Sequence, residues 1–222
     1  MHVPAVANPP TPLAASGSGE PALPVGVTLL GVRVTAYVVI NAVEHCRREV
    51  AGMGAVIDPA LLDRLLDLPA GIPVGDPLVW AETADQPSGI LERSEDGEQI
   101  TRRLESPLTI AHVVVDAATG GELTAVQDAS LFAGFTRRWV AVPGLRIPDV
   151  AMLEAKMCGV GILDPHCKVL LSAEKPVALT TDGWSWLLEE KAYRRWLSQR
   201  PQSHGTESRS PATDEASVTG AG

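Results

Sequence analysis

Basic charge, cysteine and long apolar runs are all scarce in this chain, and each scarcity removes a class of protein. Lys and Arg number 18 against 27 Asp and Glu, a formal net charge of -9. That balance argues against a protein that coats nucleic acid nonspecifically, while leaving room for a locally basic face. The three cysteines, Cys46, Cys158 and Cys167, include no Cys-x-x-Cys pair and fit reduced thiols better than a disulfide framework. The opening residues have no basic start, no sustained apolar run and several prolines, so they do not read as an export signal, and cytoplasmic residence is the expectation. The most apolar stretch, VGVTLLGVRVTAYVVINAV, contains Arg33 and Asn41 and is punctuated by glycine. It predicts a buried strand leading into a helix, with no membrane span. No internal repeat is present. GMG and GVG lack the lysine and hydroxyl that follow a phosphate loop and are assigned to helix ends and close packing.

Both ends of the 222-residue chain are rich in Pro, Ala, Gly and Ser without apolar periodicity. Such segments bury too little surface to offset the entropy of ordering. Residues 1–24 and 200–222 are therefore expected to be disordered tails around one α/β domain over residues 25–199.

Inside that span, Val25 to Val39 reads as a strand or a pair of strands, with Gly31 as a break. Val39, Ala42, Val43, Cys46 and Val50 have helical spacing, with Glu44, Arg47, Arg48 and Glu49 covering the other face. In DPALLDRLLDLPAG, Asp58 suits a cap, Pro59 the first helical position, and Leu61, Leu62, Leu65 and Leu66 an apolar stripe. DPLVWAET is expected to be a short strand. DQPSGILERSEDGEQITRRLESP is expected to be an exposed loop with a marginal helix at its end. LTIAHVVVD and ELTAVQD then read as two strands joined by the turn AATGG, followed by the strand RRWVAVP. PDVAMLEAKMCG reads as a helix running from near Asp149 to Gly159, and VGILD and KVLLSAE as further strands. In the last helix, capped by Thr181 or Asp182, Trp184, Leu187, Leu188, Ala192 and Trp196 share a face, and Glu190 pairs with Arg194. Alternating strands and helices predict a central mixed sheet flanked by helices.

The segment RRWVAVPGLRIPDVAMLEAKMCGVGILDPHCKVLLSAE, with VVVDAATGGELTAVQD before it, resembles restriction-endonuclease-like domains of the PD-(D/E)xK nuclease superfamily. The likeness runs from Leu108 to Glu174. It implies a restriction-endonuclease-like fold and Mg²⁺-dependent phosphodiester hydrolysis, with carboxylates on two neighbouring strands holding the metal and a lysine positioning the nucleophile. Asp116 matches the first carboxylate. The second position holds Gln127, with Asp128 beside it and Ala129 where the lysine would fall. Glutamine brings no charge and alanine no ammonium, so the site reads as degenerate unless Asp128 compensates from a shifted register, which would reverse its sheet face. Glu44 or Glu49 from the first helix could restore the missing charge. The similarly spelled Asp149, Glu154 and Lys156 lie in a helix, where Glu154 and Lys156 stand about 200° apart.

His45, Cys46, Cys158, His166 and Cys167 have the chemistry of zinc ligands but not the spacing, and core packing is the expectation. His166 and Cys167 read as a solvated turn rather than a nucleophilic pair. The last helix has two readings. It is either a lid on the sheet or a surface for a protein or nucleic-acid partner, through Lys191, Arg194 and Arg195 beside aromatic rings. Together these features predict a nuclease-related protein with an incomplete metal site, acting in nucleic-acid or protein binding. The alternatives are an intracellular protein-interaction module and an active Mg²⁺ phosphodiesterase that uses Asp116 with Gln127 or Asp128.

Overall fold

The computed structural model describes residues 21–75, 89–176 and 182–200. The expected strand DPLVWAET, the cap alternative Thr181, and residues 1–20 and 201–222 lie outside them. The described residues form an α/β domain around a mixed six-stranded sheet, in the order β1 (Leu23–Leu29), β2 (Val32–Ile40), β6 (Leu108–Asp116), β7 (Arg137–Ala141), β8 (Gly161–Leu163) and β9 (Val169–Leu171).

Strands β1 (Leu23–Leu29) and β2 (Val32–Ile40) make an antiparallel hairpin across Leu30 and Gly31, both at positive φ (50° and 82°). A two-residue turn with both central residues in that region matches the twist of the strands it joins. Strand β6 (Leu108–Asp116) pairs antiparallel with β2. The register shifts between Tyr37 and Val38, which leaves Ala111 as an extra residue in β6. That bulge reverses the alternation, so Leu108 and Ile110 below it and Val113 and Val115 above it reach the same layer of core.

From β6 the chain crosses over helix α3 (Glu122–Ser130) to the parallel strand β7 (Arg137–Ala141), then over helix α4 (Asp149–Cys158) to the parallel strand β8 (Gly161–Leu163). It turns back antiparallel as β9 (Val169–Leu171). Helix α4 spans Asp149–Cys158 and ends at Gly159, at φ 64°. The carbonyl of Cys158 at that end accepts a hydrogen bond from the Arg138 guanidinium of β7.

Helix α3 spans Glu122–Ser130 and corrects the expected second strand ELTAVQD. Its buried residues, Ala125, Val126 and Ala129, follow helical rather than alternating spacing. A parallel partner for β6 also requires a crossover, which no tight hairpin can supply. Gly120 and Gly121 do not form the turn between two strands that AATGG predicts. They instead separate the short 3-10 turn Ala117–Thr119 from α3.

Helices α1 (Ala42–Val50) and α2 (Pro59–Leu66) follow β2, and α5 (Gly183–Gln199) closes the described chain. Asp58 caps α2 as expected, accepting from the Ala60 and Leu61 amides. Asp182 caps α5 through a reciprocal box with Ser185. Helix α5 lies against β1, β6 and α2. Leu188 of α5 joins α3, α4 and the strands in one apolar cluster, while Ala192 and Tyr193 pack on Val25, Ala36, Val38 and Leu108. The helices α3, α4 and α5 thus share one face of the sheet. The other face carries Tyr37, Trp139 and Leu163.

Sequence expectations are corrected on α1, on α5 and in the polar stretch before β6. On α1 the polar face is the buried one: Glu44, His45 and Arg48 are inside, while Val43, Cys46 and Val50 are exposed. On α5 Trp186, not Trp184, is buried, and Glu190 turns inward to Arg48 rather than to Arg194. The polar stretch expected as a loop forms, from Gly89 onward, strands β4 (Leu91–Arg93) and β5 (Gln99–Arg102). With β3 (Pro73–Gly75) they make a three-stranded sheet in the order β3-β5-β4. Ile90, Ile100 and Leu104 seal it against α2 and Trp186. Its turn is set by Asp96, which accepts from the Ser94 hydroxyl and the Glu98 amide, and by Gly97 at φ 75°.

The inversion of α1 has a physical cause in four charged groups. Arg48 donates from Nε to Glu44 and from both terminal nitrogens to Glu190, and also reaches the Glu105 carbonyl. Glu190 accepts from the Val56 amide, and Arg47 clamps Glu44 from outside. Burial alone would push the Glu44 carboxyl up, but hydrogen bonds from Arg47 and Arg48 bring it below its ordinary value. Arg48 is held firmly cationic, because its hydrogen bonds to Glu190 and Glu44 outweigh its burial.

Candidate functional site

Asp116 ends β6 where the sheet turns into the α3 crossover, and the carboxyl ends of parallel strands are where open α/β sheets bind ligands. Its side chain accepts a hydrogen bond of 2.9 Å from the Ala118 amide and so caps the 3-10 turn. A pocket of about 280 Å³ opens beside it, lined by Gly31, Arg33, Asp116, Gly120, Thr124 and Asp128, among others. Two acidic residues and one arginine therefore line a small strand-end cavity.

The structure brings together only part of the predicted set. Asp128 reaches the pocket from α3 in the ordinary course of the helix, one turn after Thr124, so no register shift is involved. Gln127 is exposed and absent from the pocket lining. Neither Glu44 nor Glu49 completes the site. Helix α1 starts just after Ile40, which pairs with Leu108 at the far end of β6 from Asp116, about 26 Å away along the strand. Glu44 is also held by Arg47 and Arg48, and Glu49 by Arg200.

This donor set suits a divalent ion poorly. Mg²⁺ asks for near-octahedral oxygen ligands, with carboxylates to balance its charge. Here the pocket lining offers two carboxylates, from Asp116 and Asp128, and no further acidic residue. Among the described residues, no group of three or more His, Cys, Asp or Glu is placed to hold a metal ion.

The cysteines and histidines behave as separate features. Asp164 organises the turn DPHCK by accepting from the His166 and Lys168 amides. His45 is buried against Tyr193, with Nδ1 2.8 Å from its hydroxyl. Cys46 is exposed, which departs from its expected place in the core.

The basic residues of α5 do not assemble with free rings. Trp196 stacks on Tyr193 and meets His45 edge-on, and the Arg200 guanidinium lies over its ring. Arg195 donates to the Gly26 carbonyl of β1. Lys191 is half-buried and Arg194 exposed. The exposed ring, Trp184, stands about 15 Å along the helix from Arg194.

Two features had no clear signature in the sequence. An open groove of about 940 Å³ surrounds the bulge at Ala111, between Ile40, Val43, Phe135, Arg137 and Lys175. Its lining is mostly apolar and carries two cations. Beside the same strand end, Glu189 of α5 accepts from the Ser106 hydroxyl at 2.5 Å. Burial is the main reason its carboxyl is pushed up to about 7, with the neighbouring Glu190 adding to the effect.

No family model, no curated protein and no solved structure matches this chain. Fold and site together define an α/β domain with a mixed sheet and a charged pocket at the end of its first parallel strand. Among the described residues no helix is long and apolar enough to cross a membrane.

Proposed function

We propose that this chain is a nuclease-related α/β domain that acts in binding or assembly rather than in phosphodiester cleavage. Its support in architecture is the order β7, α4, β8 and antiparallel β9, formed by the segment that carries the restriction-endonuclease-like resemblance. The observation that carries the non-catalytic reading is that only Asp116 and Asp128 of the predicted set meet at the pocket, with Gln127 exposed outside its lining. Two carboxylates joined by no third acidic, His or Cys group among the described residues offer a divalent ion few of the ligands it needs. The net charge of -9 and the internal engagement of Trp196 and Arg195 favour a protein partner over a nucleic acid.

The test is calorimetric titration of Mg²⁺ and Mn²⁺ into the full chain, wild type and Asp116→Ala, with labelled single- and double-stranded DNA assayed for binding and cleavage. The expected result is no cleavage and no metal uptake that depends on Asp116. Uptake and cleavage that both vanish in Asp116→Ala would establish an active Mg²⁺ phosphodiesterase instead. Tight DNA binding without cleavage would turn the reading towards a nucleic-acid partner.

A further inference from the structure

Helix α4 is assembled inside out. Its fully buried positions are the small residues Ala151 and Ala155, while Val150, Leu153 and Met157 are 59%, 59% and 76% exposed. These three stand at i, i+3 and i+7 and form one apolar stripe along the helix. A monomer gains nothing by placing its larger apolar groups outward and its alanines inward, and a continuous stripe of this kind marks a contact surface.

The charges beside the stripe select the occupant. At about 100° per residue, Asp149 and Lys156 both fall on one flank, about 100° and 120° from Val150, and Glu154 falls on the other. Among the described residues no ion pair engages Asp149 or Lys156. Two copies of α4 related by a two-fold axis at Leu153 run antiparallel, and like flanks then face each other. Leu153 meets its own counterpart, Val150 meets Met157, and Asp149 of each copy meets Lys156 of the other. A parallel pair would instead bring Lys156 nearest Glu154 and leave Asp149 without a partner. The antiparallel arrangement also opposes the helix dipoles favourably.

We infer that α4 is an isologous dimer interface whose occupant is the α4 of a second copy of this chain. The inference stands apart from the strand-end pocket and holds whether or not that pocket binds anything. A second exposed stripe, Val43, Cys46 and Val50 on α1, lacks the same self-complementarity, because its neighbours are already committed: Arg47 to Glu44, and Glu49 to Arg200. Pairing α1 with α4 would join unlike surfaces and build open chains rather than closed dimers.

The test is sedimentation equilibrium of the full chain up to high micromolar concentration. Wild type is expected to be a reversible dimer and Leu153→Glu a monomer, with the same thermal melt as wild type at concentrations low enough for wild type to be monomeric, because the Leu153 side chain is exposed in the monomer. Lys156→Asp weakens dimerisation about tenfold, since it turns two attractions into repulsions, and adding Asp149→Lys restores it. Val50→Glu on α1 leaves the dimer intact. A monomeric wild type, a dimeric Leu153→Glu, a charge exchange that fails to restore pairing, or loss of the dimer in Val50→Glu would each overturn the inference.

Discussion

Arg48 and Glu190, 142 residues apart, make a two-pronged ion pair at 2.8 and 2.6 Å with both side chains wholly buried. The pair ties α1 to α5. It also explains why α1 turns its polar face inward, since Glu44 on the same helix completes the coordination of the guanidinium. A buried pair of this kind contributes modestly when intact, because desolvation offsets most of the attraction, but losing one partner strands the other. Arg48→Met should therefore cost about 3–5 kcal/mol in urea denaturation at neutral pH. The deficit should shrink as pH falls below the carboxylate range, because Glu44 and Glu190 can then take up protons. A cost independent of pH would mean that the carboxylates are not what Arg48 holds.

Glu189 sets a second pH dependence, of opposite sense to that of an ordinary salt-bridged carboxylate. Its folded carboxyl titrates at about 7, above the ordinary 4.5, chiefly because burial disfavours its charge. Between those two values the folded protein holds a proton that the unfolded chain has released, so stability falls as pH rises from about 4.5 to about 7. Above the upper value the full loss is present. Glu189→Gln keeps the amide side chain neutral at every pH. It should flatten this part of the profile and make the variant more stable than wild type at pH 8. Chemical denaturation at pH 5 and pH 8 measures both quantities, and equal slopes in the two proteins would refute the assignment.

Gly161 begins β8 directly beneath the Trp139 ring, where a Cβ would overlap the indole and come within 2.8 Å of the Ala173 amide nitrogen. Backbone lies on one side and a large, nearly buried ring on the other, so neither gives way cheaply. Gly161→Ala should destabilise by about 1–3 kcal/mol through overpacking. Gly26, whose Cβ would meet nothing within 4 Å, supplies the control. A thermal melt of Gly161→Ala that matches wild type would show that the sheet face around Trp139 is looser than these contacts require.

The regular elements were legible where local chemistry and burial agree. Asp58 and Pro59 announce α2, and Gly159 ends α4, because caps and glycine act within a few residues. Segment ELTAVQD was misread because its apolar residues fit either period over so short a run, and only the parallel pairing of β6 with β7 decides for a helix. The face of α1 was misread for a deeper reason. Periodicity assigns the core to Val43, Cys46 and Val50, whereas the choice was made by Glu190, far away in the chain. Asp116 and Asp128 were legible as candidate site residues, but Arg33, from the β1–β2 hairpin, was not. A pocket gathers residues from segments whose proximity is a property of the sheet.

The tryptophans of α5 measure which face of that helix carries the fold. Trp186 is 3% exposed and lies among Leu62, Leu65 and Ile100, with the Arg102 guanidinium over its ring. Trp184, two residues earlier, is 60% exposed. Trp186→Ala should cost about 3–5 kcal/mol, the range for removing a large buried ring. Trp184→Ala should stay within about 0.5 kcal/mol of wild type, as surface substitutions do. Trp186→Phe is the informative intermediate. The indole Nε1 is buried with no hydrogen-bond partner among the described residues, so phenylalanine removes a costly polar group together with some apolar area. The net change should be within about 1 kcal/mol, far less than for alanine. If Trp186→Phe proved as damaging as Trp186→Ala, the N–H would have to be satisfied after all. If Trp184→Ala were equally damaging, the exposed ring would be buried in solution against another surface.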